Sequence, residues 1–219
     1  MADQLAFDWP SGVAWGPDDF FVSDANARAF AMIEAPQSWP DGKLALVGPS
    51  GAGKSHLARI FRGARNAEVI AAAEMPITFQ IDAKAVIVED VENLPQQSEE
   101  ALFHLHNNLR ADGGLLLLTS DRPPARWPIR LPDLASRMQA ATVIEIDNPD
   151  DALLTALIMK LFADRQIIPK PELVQYLVPR IERSFAAAAQ IVEALDAASL
   201  AQGRKINKPL AAELLDKHA

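Results

Sequence analysis

The chain has no cysteine among its 219 residues, which excludes a disulfide framework and any thiolate metal site. Its four histidines, His56, His104, His106 and His218, do not fall at zinc-ligand spacing. No apolar run approaches the roughly 20 residues needed to cross a bilayer. The opening Met1-Ala2-Asp3-Gln4 lacks the basic stretch and apolar run of a secretory signal, so a cytoplasmic address is expected. Basic residues are in deficit, with 21 Lys and Arg against 29 Asp and Glu and a formal net charge of -8. That balance disfavours phosphate binding over the whole surface while leaving room for a local basic patch. No internal repeat or low-complexity tract is present. Stability must therefore come from packing, and this length holds one large domain or a medium domain with a small companion.

The two parts of the chain differ in pattern. Five short runs rich in leucine or β-branched residues, Leu44–Val47, Glu68–Ala71, Ala85–Val88, Leu115–Leu118 and Thr142–Glu145, alternate with longer amphipathic stretches. That alternation predicts a five-stranded parallel sheet flanked by helices. After Asp147 only helix signals remain. Asn148-Pro149-Asp150-Asp151 offers a cap, a proline for the first helical position and carboxylates for the first turn. Pro171 opens a second helix, Ser184 caps a third, and Asn207 starts a fourth. In the third, Phe185, Ala188, Ile191, Val192 and Leu195 share one face. The proline-dense run from Arg122 to Pro132 reads as an ordered loop. Trp15, Trp39 and Trp127 read as packing residues, since nothing in their spacing points to a site.

One motif carries chemistry outright. Gly48-Pro49-Ser50-Gly51-Ala52-Gly53-Lys54-Ser55 matches G-x-x-x-x-G-K-[ST], placed after an apolar strand and before an amphipathic helix. Glycines let backbone N–H groups curl around a phosphate, Lys54 reaches the β- and γ-phosphates, and the Ser55 hydroxyl can ligate Mg2+. Such a loop works with acidic residues at the end of a neighbouring strand. Glu89 stands where an aspartate is usual, as the second Mg2+ contact, and Asp90 in the slot of a water-activating carboxylate. The alternative is a pair of solvated carboxylates at a strand-to-turn junction. Thr119 and Asp121, at the end of another strand, are placed either to sense a γ-phosphate or to cap the next turn.

The segments Gly53-Lys54-Ser55-His56-Leu57, Glu89-Asp90, Thr119 to Pro124 and Leu131-Pro132-Asp133-Leu134-Ala135-Ser136-Arg137 resemble the AAA+ module of the bacterial replication initiator DnaA. More closely, they resemble the Hda family, shorter DnaA homologues that inactivate that initiator. The resemblance covers nearly the whole chain. It implies an AAA+ α/β domain over residues 13–147 and a small helical lid over 148–219, preceded by a tail, 1–12, that docks on the DNA polymerase III sliding clamp. It further implies ADP or ATP with Mg2+, held by residues Gly48 to His56, with Phe21 and Val22 along the adenine. Arg137 is implied as an arginine finger presented to ATP on DnaA, and self-association through that face is left open. In the tail, Gln4-Leu5-Ala6-Phe7-Asp8-Trp9 is similar to clamp-docking peptides. Leu5, Phe7 and Trp9 would fill an apolar pocket and Gln4 its rim; the alternative is that the three pack back on the core.

Two departures and two lengths shape the expectation. The position of the family's lid arginine falls at Ala186, which cannot sense phosphate, and with Glu89 this suggests weak self-hydrolysis. The chain ends at Ala219 soon after the fourth lid helix, so no base-reading domain and no sequence-specific DNA binding are expected. About 30 residues separate the P-loop helix from Val86, too few for the extra helix of an initiator. The expected function is a regulator acting on a neighbour's ATP, at the replisome or nucleoid. The alternatives are a stand-alone ATPase like a helicase loader and a non-enzymatic adaptor.

Overall fold

The computed structural model describes residues 20–78 and 82–216. Five strands, β1 (Lys43–Val47), β2 (Glu68–Ala71), β3 (Ala85–Glu89), β4 (Leu115–Ser120) and β5 (Thr142–Glu145), form one sheet in the order β2-β3-β4-β1-β5. Every pairing is parallel. The expected five-stranded sheet is therefore present, with β3 and β4 extending one and two residues past the apolar runs.

The central strands β1, β3 and β4 read as apolar runs because both faces of the sheet are covered there, whereas the edge strands β2 and β5 are partly exposed. Side chains alternate across a strand. Leu44, Leu46, Ile87 and Leu117 pack with Leu57 and Phe61 of α2 (Lys54–Arg65), against which α1 (Ala27–Glu34) also lies. Ala45, Val86, Val88, Leu116 and Leu118 pack on the opposite face with Leu102 and Leu105 of α3 (Glu99–Ala111) and Leu134 and Met138 of α4 (Pro132–Gln139). Trp39 and Trp127 are buried, as expected of packing residues: Trp39 stacks on Phe61 at 5.1 Å, and the Trp127 Nε1 donates to Ser120 Oγ at 2.9 Å.

A third core belongs to the C-terminal helices α5 (Asp151–Ala163), α6 (Pro171–Leu177), α7 (Phe185–Gln202) and α8 (Lys208–Asp216), and includes Leu154, Ile158, Phe162, Val174, Val192 and Leu210. Three starts fall where the sequence puts them. Pro171 occupies the first turn of α6. The Ser184 hydroxyl accepts from Ala187 N at 3.1 Å and the Asn207 side chain from Leu210 N at 3.1 Å. The start of α5 differs: Asp150, not Asn148, is the cap, accepting from Leu153 N at 2.7 Å, and Pro149 precedes it. The reason lies upstream, where Ile146 N still bonds Val47 O of β1 and Asp147 N bonds Ala25 O in the turn before α1, so the backbone is held for two residues past β5. Among the described residues between α2 and β3 there is only β2 and one 3-10 turn, in keeping with the short spacing read from the sequence. No described helix is long and apolar enough to cross a membrane.

Candidate functional site

The P-loop leaves the carboxyl end of β1, where ligands of open α/β sheets bind. Gly48 N donates to Ser120 O at 3.2 Å, fixing the loop's departure against β4. Gly51 and Gly53 have φ of 81° and 90°, a left-handed backbone that glycine adopts without strain. Space is tight there as well. A Cβ on Gly51 would lie 3.3 Å from Cβ of Phe185, and one on Gly53 would lie 3.1 Å from the Phe20 ring. The loop ends on the first turn of α2, whose N–H groups and dipole favour an anion. Lys54, mostly buried, donates through Nζ to Gly48 O at 2.7 Å and Pro49 O at 3.1 Å.

These elements border a cavity of about 540 Å³. One wall is the loop and α2, from Ser50 to His56 with Arg59. A second is Phe20, Phe21 and Asn26, before and at the start of α1. The third is the lid, chiefly Leu153, Leu157 and Lys160 of α5 and Phe185 and Ala189 of α7. The volume suits a small-molecule or cofactor site. Phe20 meets the His56 ring edge-on at 5.3 Å and stacks on Phe30 at 5.7 Å, so it is held in place as part of the wall. Asn26 fixes the same segment, donating through Nδ2 to Phe21 O at 2.9 Å.

The other expected site residues divide. Asp90 lines the cavity with φ of 56°, a conformation costly for a residue with a Cβ, and its N–H donates to Thr119 Oγ1 at 3.2 Å. Glu89 is not among the lining residues. It follows Ile87 by two positions, on the sheet face that packs α2. Ser55, expected as a Mg2+ ligand, and Asp90 both line the cavity. Among the described residues, no group of three His, Asp or Glu would hold a metal alone. Val22 does not reach the cavity and is 42% exposed; Phe20 and Phe21 take the place expected for Phe21 and Val22. Asp121 does not line the cavity either; its carboxylate is held by Arg122 at 2.6 and 3.0 Å, and chiefly that guanidinium, with Lys54 adding to it, lowers its pKa. Gly48 and Pro49 shape the loop as acceptors for Lys54 rather than as walls. Gln4, Leu5, Phe7 and Trp9 lie outside the described residues.

Among the described residues, the lid presents no arginine to the cavity. Ala186 is exposed, and α7 turns Phe185 and Ala189 inward instead. Arg183 pairs with Asp151 at 2.8 Å. Lys160, which lines the cavity, pairs with Asp164 at 2.8 Å. The α5 wall could not be read from sequence. Leu153, Ala156, Leu157, Lys160, Leu161 and Asp164 are spaced as one helical stripe, but this helix is apolar nearly all round and no single face stands out.

Arg137 occupies a separate surface. It lies on α4 with its guanidinium carbon 5.4 Å from the centroid of the Phe103 ring, and it makes no ion pair among the described residues, Asp133 included. It is half-buried and forms no part of the cavity described above.

Residues 150–215 match the family model described as Hda, lid domain. Domain III of the Thermotoga maritima replication initiation protein DnaA superposes with a TM-score of 0.71 at 18% identity, covering 93% of this chain and 96% of that one. AMPPCP-bound DnaA from Aquifex aeolicus gives 0.64 at 17%, covering 83% and 65%. The Thermotoga maritima RuvB Holliday junction branch migration motor gives 0.64 at 15%, covering 93% and 72%. The fold is that of an AAA+ module followed by an Hda-type lid, which agrees with the Hda family.

Proposed function

We propose that this DnaA-related AAA+ protein is a regulator of replication initiation that makes DnaA hydrolyse its own ATP, so that initiation is not repeated. The observation that carries this reading is a separation of surfaces. Among the described residues, the chain's own cavity has a P-loop but no lid arginine on its walls, while Arg137 stands on α4 over the Phe103 ring with no ion pair to a carboxylate. An arginine so placed is suited to act in trans, on charge developing at a neighbour's γ-phosphate, where such a residue supplies roughly 10³ to 10⁵ in rate.

In this reading the chain's own ADP or ATP lies between Lys54, the Phe20–Phe21 segment and the lid, joining the two domains, 13–147 and 148–219. A DnaA of this fold has been solved with AMPPCP, which supports adenine nucleotide here. Ser55 and Asp90 would ligate its Mg2+ and Lys54 its terminal phosphates. The tail, through Gln4, Leu5, Phe7 and Trp9, docks on the sliding clamp and brings Arg137 to the initiator on DNA, in the cytoplasm at the replisome. The test is to mix ATP-loaded DnaA, DNA-loaded clamp and this protein and to follow conversion to ADP. Conversion should accelerate only with all three present and should be lost when residues 3–9 are deleted; acceleration without the clamp overturns the tail assignment.

One observation favours a second reading, a stand-alone ATPase: Asp90, held on the cavity wall, is a carboxylate able to orient water. That reading requires robust turnover by the isolated chain, abolished in Lys54→Ala.

A further inference from the structure

Glu99 is the first residue of α3 and is 4% exposed. A carboxylate so buried needs partners, and among the described residues it has no cation. Both oxygens are instead taken by the backbone of a loop 31 and 32 residues away. Oε1 accepts from Arg130 N at 3.0 Å, and Oε2 accepts from Arg130 N at 3.1 Å and from Leu131 N at 2.6 Å.

Leu131 is the residue at which α4 begins, and no side chain of α4's own sequence caps it. An eight-residue helix is marginal alone, so its entry point is set from outside. Glu99 supplies that point, and Trp127, donating to Ser120 Oγ and to Arg122 O at 2.8 Å, pins the loop at its other end. Arg137 follows Leu131 by less than two helical turns on a short rod with Leu134 and Met138 buried beneath it. A shift of the entry point therefore carries the guanidinium with it.

The geometry points to Glu99 as a positioning residue for Arg137: its carboxylate latches the start of α4 and so sets where the finger stands. This rests on the reading of Arg137 given above and adds the part of the fold that aims it. A misplacement of about 1 Å at a catalytic group can cost on the order of 10²-fold, so a latch of this kind bears on rate more than on association.

The test uses the full chain with Glu99→Met, which keeps the length of the side chain but offers neither backbone donor an oxygen. Hydrogen exchange at the Arg130 and Leu131 amides should accelerate by roughly 10- to 100-fold, the worth of a hydrogen bond to a charged acceptor, with amides of the P-loop helix unchanged. Maximal stimulation of DnaA hydrolysis should fall about tenfold or more, with the half-saturating concentration of this protein unchanged. Unchanged exchange at both amides overturns the latch. Faster exchange with full maximal stimulation, in a preparation where Arg137→Ala abolishes it, overturns the positioning role. If Arg137→Ala itself leaves stimulation intact, the functional reading fails, and with it Glu99's role in aiming the finger, while the exchange result still reports on the latch.

Discussion

Lys54 and Gly48 are hydrogen-bonded across the P-loop, the ammonium donating to the carbonyl at 2.7 Å. A second bond to the Pro49 carbonyl at 3.1 Å holds the ammonium over the loop. Lys54→Ala removes the charge-assisted bonds to the β- and γ-phosphates, each worth about 1.5–3 kcal/mol. Affinity for ADP or ATP, read by calorimetry, should fall at least about tenfold, with circular dichroism unchanged.

Phe21 and Val22 are neighbours with different fates, one on the cavity wall and one in solvent. Phe21→Ala should weaken nucleotide binding by about tenfold through lost apolar and aromatic contact. Val22→Ala should leave it unchanged. Titration with a fluorescent adenine nucleotide distinguishes the two.

Lys43, at the start of β1, is buried, and burial pushes its pKa down to about 8 in spite of Asp41 nearby. The unfolded chain keeps this proton to an ordinary value near 10.5. Between those limits the unfolded state binds more protons, so this residue makes stability rise as pH increases from about 8 to about 10.5. Lys43→Met should remove that rise and stabilise the protein by about 1–3 kcal/mol at pH 7. Urea unfolding at pH 7 and pH 10 reads both effects.

Asp150 caps α5. Burial would raise its pKa, but hydrogen bonds from the Leu153 backbone, the Ser23 side chain and other donors outweigh that and hold it below the ordinary value of 3.8. The carboxylate's contribution is therefore present above that ordinary value and is lost as pH falls through the lower folded one. Asp150→Ala should destabilise the protein by about 1 kcal/mol at pH 7, and the difference between variant and parent should shrink in strong acid.

The sheet was legible because its three central strands, β1, β3 and β4, are buried on both faces and appear as dense apolar runs, while the partly exposed edge strands β2 and β5 still carry β-branched residues. The lid starts were legible wherever the cap is local, as at Pro171, Ser184 and Asn207. Asp150, not Asn148, is the cap because the bonds from Ile146 to Val47 of β1 and from Asp147 to Ala25, in the turn before α1, hold the chain for two residues past β5. The cavity was half legible. The glycines and Lys54 are a local pattern, whereas Phe20 in place of Val22 depends on a turn fixed by Asn26. Glu99 was invisible for the same reason: a glutamate in a first helical turn looks like a favourable dipole contact, and only the fold brings Arg130 and Leu131 to it.

The most direct measurement of the central claim is single-turnover hydrolysis of ATP by DnaA on DNA-loaded clamp, with this protein as wild type, Arg137→Ala or Arg137→Lys. The account predicts that both variants bind clamp and nucleotide normally, yet lose stimulation by roughly 10³-fold or more for alanine and nearly as much for lysine, whose point charge lacks the planar fork. Stimulation by Arg137→Ala equal to that of wild type would contradict it.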